Sequence, residues 1–272
     1  MRAGLIQLSS GPDPAHNLAR TLGFLREAAA AGADLALTPE VTNIVTADRA
    51  HLAATVRPEA DDPTLAALRD EARTLGIWLL IGSLALRTDD PDGRFANRSF
   101  LVSPGGEIVA RYDKIHMFDV EVSETERYRE SAAFRPGTRA VVADTPFARI
   151  GLSICYDLRF PALYRRLAQA GAQILTVPAA FTRPTGKAHW ESLLRARAIE
   201  NGAFVLAPAQ TGQNAPGRAT HGHSLAIAPW GEVLADGGDE PGLTLVDFDL
   251  ASVDHARARL PSLTHDRDFQ GP

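Results

Sequence analysis

Short apolar runs alternate with longer amphipathic ones along most of this 272-residue chain. Ala3–Leu8 is a mostly apolar run of strand type. Asp13 and Pro14 then supply an N-cap and a first helical position, Leu18, Leu22 and Leu25 recur at helical spacing, and Gly32 closes the helix. Asp34–Thr38 predicts a second strand, ended by Pro39 and Glu40. A helix over Pro63–Leu75 precedes the apolar run Ile77–Leu84. Asn97–Val102 and Glu107–Tyr112 flank Ser103-Pro104-Gly105-Gly106, a hairpin signal. Residues 113–139 break this rhythm. They are polar and charged without a clean period, the mark of a long functional connection. Beyond them the pattern predicts strands at Ala140–Asp144 and Ala148–Ile154, a helix over 161–170, a strand at Gln173–Val177, a helix from Ala188 to Glu200 and a strand at Ala203–Ala207. Residues 223–228, 232–235 and 243–248 predict a closing meander, with turns at Pro229-Trp230-Gly231 and Asp236-Gly237-Gly238. The tail from Asp254 is basic, then polar. With no linker-like or low-complexity stretch, the expectation is one domain, 1–272, of α/β type with mixed sheets.

Composition narrows the class. A hydrophobic fraction of 45% and a charged fraction of 22% are those of a globular protein with a sizeable core. The net charge of −5 argues against a general nucleic-acid role. A single cysteine excludes an internal disulfide framework and a cysteine-rich zinc site. No apolar run is long enough for a membrane span, and the N-terminus lacks a signal-peptide core. A cytoplasmic location is expected.

That cysteine, Cys155, sits in the stretch FARIGLSICYDLRFP, Phe147–Pro161, between the end of a buried strand and the start of a helix. Such a corner exposes a side chain from a closed core, and a helix start aimed at the sulfur favours the thiolate. The same position also suits a small buried hydrophobe. Two further polar residues stand out. Ala31–Glu40 echoes Ala170–Ala179: both run helix end, Gly, strand, Pro, but the first ends in Glu40 and the second in Ala179. A Pro-ended strand therefore does not itself require a carboxylate. Glu40 is either an addition for chemistry or a loop cap. Lys114 is one of only two lysines, with Lys187, among 28 basic residues. That choice suggests a compact point charge in place of a guanidinium fork, although a lone lysine also suits a solvated surface.

The segments Thr38-Pro39-Glu40, Arg111-Tyr112-Asp113-Lys114-Ile115-His116 and Ile154-Cys155-Tyr156-Asp157-Leu158-Arg159-Phe160-Pro161 resemble, in order and context, the nitrilase or carbon–nitrogen hydrolase superfamily. Lys114–Val120 and Thr185-Gly186-Lys187-Ala188-His189-Trp190 resemble its Nit branch of ω-amidases and deaminated-glutathione amidases. The resemblance implies a four-layer α-β-β-α sandwich with two mixed sheets that dimerises through its outer helices. It implies a Glu40, Lys114 and Cys155 triad, with Glu130 as a supporting carboxylate chosen over its neighbours Glu121, Glu124 and Glu126. It makes the Tyr156 backbone N–H an oxyanion donor, Arg159 a clamp on a substrate carboxylate, and Phe181 and Thr185 pocket residues. Asp157 is expected to be structural, with an ion pair to Asp157 as the other reading of Arg159. The implied reaction is metal-free and cofactor-free hydrolysis of a small amide through a thioester. Deaminated glutathione, giving 2-oxoglutarate and cysteinylglycine, is the first substrate and α-ketoglutaramate, with ammonia release, the second. His221 and His223 form a His-X-His pair without a third ligand cluster, so no metal is expected. A rival of another class is a thiol redox sensor at Cys155, which has no use for Glu40 or Lys114 and lacks a resolving cysteine.

Overall fold

Asp13 starts the first helix as its spacing predicts, its carboxylate accepting from the N–H groups of Ala15 and His16. In a computed structural model, which describes residues 1–122, 127–215 and 218–271, the first half runs β1 (Arg2–Gln7), α1 (Pro14–Ala30), β2 (Leu35–Leu37), α2 (Arg49–Thr55), α3 (Pro63–Leu75), β3 (Trp78–Leu86), β4 (Ala96–Val102) and β5 (Ile108–Asp113). Helix α3 matches its expected span: Asp62 caps the Leu65 N–H and Gly76 closes it at φ 66°. Helix α2 was not foreseen. It is seven residues long, buries only Leu52, and is started by Asp48.

The second half continues with β6 (Asp119–Glu121), β7 (Arg127–Arg129), β8 (Val141–Asp144), β9 (Arg149–Leu152), α4 (Pro161–Gln169), β10 (Ile174–Thr176), α5 (Arg183–Asn201), β11 (Phe204–Ala207), β12 (Thr211–Ala215), β13 (Arg218–His221), β14 (Leu225–Ile227), β15 (Val233–Asp236), β16 (Gly242–Asp247) and α6 (Ala251–Arg259). The polar 113–139 connection thus holds the short hairpin β6–β7 and a 3-10 turn at Glu130–Ala132. Helix α5 begins five residues earlier than its periodicity suggests, because Pro184 falls in the first turn, where a missing N–H costs nothing.

Two six-stranded mixed sheets form, in the orders β16-β1-β2-β3-β4-β5 and β15-β14-β11-β10-β9-β8. Each has three parallel strands at its centre: β1, β2 and β3 in one, β9, β10 and β11 in the other. Alternation along the central strands sorts side chains to two faces. Leu35, Leu37 and Leu80 join Ile150, Leu152 and Ile174 in the core between the sheets. Their neighbours Ala36, Leu79 and Ile81 face the other way, into a second cluster with Leu25 of α1 and Leu68 of α3. Leu163 and Leu167 of α4 and Trp190 and Leu194 of α5 cover the second sheet. The result is the expected α-β-β-α sandwich.

The closing meander is corrected. β14 and β15 pair, but β16 leaves for the first sheet and runs antiparallel to β1 from Arg2↔Asp247 to Gln7↔Gly242. Gln7 explains the switch. Its amide donates to the carbonyls of Gly238 and Glu240 at 2.8 Å, pinning the 236–240 turn to β1, while its Oε1 accepts from Ser224.

The two sheets approach tightly at Gly82 of β3, beside the prolines that follow β2 and β10. A Cβ on Gly82 would overlap the carbonyl oxygens of Thr38 and Pro39 and the Pro178 side chain. Gly82→Ala is therefore expected to destabilise the fold by about 2 kcal/mol or more through overpacking. An unchanged denaturant midpoint would show that this approach is not needed.

Candidate active site

Cys155 lies at the start of a 3-10 turn, Cys155–Arg159, with φ at 50°. A non-glycine residue in the left-handed region costs of order 1–3 kcal/mol and needs external support. The support is visible. The Cys155 N–H donates to the Pro178 carbonyl at 2.9 Å. Asp157, fully buried, accepts from the Ile154 N–H at 2.9 Å, from the Tyr112 hydroxyl at 2.6 Å, and from both the backbone N–H and Nδ1 of His116. One carboxylate thus ties the cysteine corner to the strand end that carries Lys114. Phe160 stacks on the His116 ring at 3.6 Å. Asp157 makes no ion pair with Arg159.

Lys114 is 2% exposed. Its Nζ donates to Glu40 Oε1 at 2.8 Å and to both oxygens of Glu130, at 2.9 and 2.8 Å. Asn97 Nδ2 donates to Glu40 Oε1 at 2.9 Å and to Glu130 Oε1 at 3.3 Å. The second Glu40 oxygen accepts from the Ala180 N–H and the second Glu130 oxygen from the Phe118 N–H. Among the described carboxylates in the 121–130 stretch, Glu130 is the one that reaches Lys114. Glu121 faces Arg127, and Glu124 and Glu126 lie outside the described residues.

These contacts set the protonation states. Burial alone would raise the Glu40 carboxyl, but the Lys114 charge and hydrogen bonds from Lys114, Cys155 and Asn97 outweigh it and hold it below its usual value. Burial would lower Lys114, yet the carboxylates of Glu130 and Glu40 push it well above its usual value. The Cys155 thiol is pushed well up, first by burial and then by the Glu40 charge, against the pull of Lys114 and the Ala180 N–H. This corrects the expected helix-start effect: helix α4 begins only at Pro161, and the thiol rests neutral beside an ionised Glu40.

Cys155, Glu40, Lys114 and Glu130 share one cavity of about 220 Å³. Tyr156, Phe181 and Thr185 also line it. The Tyr156 N–H donates to no protein acceptor among the described residues, whereas its neighbours donate to Pro178 and Ile154. Arg159 stands behind the lining. Its guanidinium lies 5.9 Å from the Tyr156 ring and 5.7 Å from the Phe181 ring, with His189 Nδ1 at 3.3 Å. Sequence reasoning missed Asn97, a strand residue with no motif around it, and the aromatic wall of Phe118 and Tyr128. His221 and His223 stack on each other, and His223 faces Asp236 and Asp239.

The model of the carbon-nitrogen hydrolase family matches residues 2–258. The chain belongs to the carbon-nitrogen hydrolase family. It is a hydrolase of non-peptide carbon–nitrogen bonds. A deaminated glutathione amidase of Yersinia enterocolitica is 40% identical over 97% of this chain and 92% of the relative. Among solved structures, the NitFhit protein of C. elegans superposes with a TM-score of 0.90 at 35% identity, over 98% of this chain and 65% of that one. Nit3 of Saccharomyces cerevisiae, a member of branch 10 of the nitrilase superfamily, gives 0.87 at 27% identity, over 99% of this chain and 97% of that one. These neighbours carry the same sandwich, so the hydrolase belongs with the Nit branch.

Because the Glu40 charge raises the Cys155 thiol, Glu40→Gln is expected to lower the pH at which the thiol becomes alkylated. Iodoacetamide labelling of both proteins across a pH series measures this. A midpoint that stays put or rises would separate Glu40 from the sulfur electrostatically.

Proposed function

We propose that this hydrolase cleaves a small carboxylate-bearing amide through a thioester on Cys155, with deaminated glutathione as its substrate. The observation that carries the reading is the convergence of Glu40, Lys114, Glu130 and Cys155, four side chains from distant segments, on one cavity. An amide carbonyl is a poor electrophile, and a covalent intermediate divides its hydrolysis into two easier steps. Cys155 Sγ bonds to the carbonyl carbon as its proton passes to Glu40. Lys114 has three N–H donors. One goes to Glu40 and one is shared between the oxygens of Glu130, which leaves one for the oxyanion beside the Tyr156 N–H. Glu40 returns the proton to the leaving nitrogen as the carbon–nitrogen bond breaks. It then takes a proton from water, which adds to the thioester and releases the acid and the thiol. Glu130 acts by positioning Lys114.

For deaminated glutathione the products are 2-oxoglutarate and cysteinylglycine. The 40% identity to deaminated glutathione amidases across nearly the whole chain supports that choice over α-ketoglutaramate. Phe181 and Thr185 would line the acyl side. Arg159, which has no carboxylate partner among the described residues, would reach past the Tyr156 and Phe181 rings to the 2-oxo acid end. A redox-sensor role suits the site poorly, because a buried thiol held above its usual range resists oxidation. The same reading has the chain work as one domain, 1–272, in the cytoplasm, where a lone free thiol is at home. It also makes it a homodimer through its outer helices, where Ile199 of α5 is 51% exposed beside the Gly231 turn.

Cys155→Ala is expected to lose all measurable turnover while keeping the wild-type circular dichroism spectrum. Residual hydrolysis at the wild-type rate would end the mechanism. Arg159→Lys is expected to raise KM for carboxylate-bearing amides about tenfold more than for neutral ones, since a bidentate fork is lost. An equal effect on both would take Arg159 out of carboxylate binding.

A further inference from the structure

The cavity holds more positive charge than its chemistry uses. Four cationic side chains line it, Arg49, Lys114, Arg129 and Arg218, against two carboxylates, Glu40 and Glu130. Both carboxylates are spent on Lys114. In a chain of net charge −5, the surplus is a local feature. Arg129 is partly offset, since its charge acts on the nearby Asp119 carboxyl, which is held below its usual value despite burial. Neither the Arg49 nor the Arg218 side chain makes an ion pair or hydrogen bond among the described residues. They come from elements far apart in sequence, the start of α2 and the start of β13. The Ser10–Gly11 segment brings those elements together. Gly11 accepts from the Val45 N–H on the α2 side, and Asn214 of β12 donates to the Ser10 carbonyl on the other. Two arginines without side-chain partners among the described residues therefore line one cavity, on segments that Ser10 and Gly11 tie together.

We infer that Arg49 and Arg218 form a second anion subsite, which holds the carboxylate on the leaving-group side of a dianionic amide. The inference rests on the amidase reading above and deepens it. Deaminated glutathione has a carboxylate at each end, one on the 2-oxo acid and one on the terminal glycine, with the scissile amide between them. α-Ketoglutaramate has only the first. Arg159 lies by the Tyr156 and Phe181 rings and is not among the residues that line the cavity with Arg49 and Arg218, so in this proposal the two ends of the substrate meet different arginines. Guanidiniums suit a planar carboxylate at a wet rim, where two forked donors hold it by charge-assisted hydrogen bonds. The subsite thus favours substrates with an acidic leaving group over those that release ammonia.

The test compares kcat/KM for deaminated glutathione with that for its glycinamide-ended analogue, which differs only in the second carboxylate. Wild type is expected to prefer the dianion by roughly tenfold, equivalent to about 1.4 kcal/mol. The doubly substituted Arg49→Gln, Arg218→Gln protein is expected to bring the ratio close to one. Both positions lie on the rim, and a thermal melt checks that the variant is folded. The wild-type preference should also shrink with added salt, as for any solvent-exposed pairing. A wild-type ratio near one, or a tenfold ratio retained in the double variant, overturns the subsite and leaves the amidase reading standing. Wild type that cleaves neither compound overturns both.

Discussion

One ammonium group sealed between two carboxylates is the constraint on which the site depends. Taking Lys114, Glu40 and Glu130 out of water costs several kcal/mol for each ion. Only mutual attraction and complete hydrogen bonding repay it. Every oxygen of the two carboxylates has a partner: Lys114, Asn97, the Ala180 N–H or the Phe118 N–H. Loss of the lysine would leave a buried Glu40 and a part-buried Glu130 without their cation, and breaking a buried ion pair costs about 3–5 kcal/mol. The same cluster sets the direction of proton flow. Lys114 keeps Glu40 ionised, and burial together with the Glu40 charge keeps the thiol protonated. The pH dependence of stability follows. Glu40 has a folded value below its usual one, so its contribution is present above the ordinary carboxylate range and is lost only as pH falls through the lower folded value.

The cluster works only if the sulfur is held against it, and that is the task of Asp157. The left-handed Cys155 backbone would relax to a commoner conformation if nothing opposed it. Asp157 opposes it by holding Ile154, just before the cysteine, and His116, two residues after the lysine. The sulfur and the ammonium are therefore positioned by one residue that hydrogen-bonds to neither side chain. The sheet ends do the rest. Pro178 accepts from the Cys155 N–H, and Gly82 lets the Pro39 and Pro178 ends approach, which brings Glu40 and Ala180 to the same side.

Much of this was legible in the chain because it is local. The Asp13 cap and the helical and strand periods act within a few residues, and the helices Pro14–Ala30 and Pro63–Leu75 fall where expected. Glu40, Lys114 and Cys155 were singled out by their setting in motifs and Glu130 by its place after the lysine, and the four line one cavity. What was missed is what depends on distant partners. Asn97 is an ordinary strand residue until Glu40 and Glu130 arrive beside it. The strand β16 looks like the end of a meander, because nothing near it reveals that Gln7, more than two hundred residues earlier, redirects it. The neutral thiol was missed for the same reason. A helix start is visible in sequence, but the depth of burial and the charge of Glu40 beside the sulfur are not.

The division of labour between the two kinds of cation follows from their shapes. The centre of the cluster needs a donor that points in several directions from one atom, toward Glu40, toward Glu130 and, in the proposed reaction, toward the oxyanion. A tetrahedral ammonium does that, and a planar guanidinium spreads its donors over a fork too wide for the same space. At the rim the requirement is reversed. In the proposed subsite, a carboxylate caught in water would be better met by a broad, weakly hydrated fork than by a strongly hydrated point charge. A chain that uses 28 basic residues and only two lysines, yet buries one of those two at its most crowded charged position, has assigned them by geometry. Charge alone would make the two interchangeable; the direction of the donors does not.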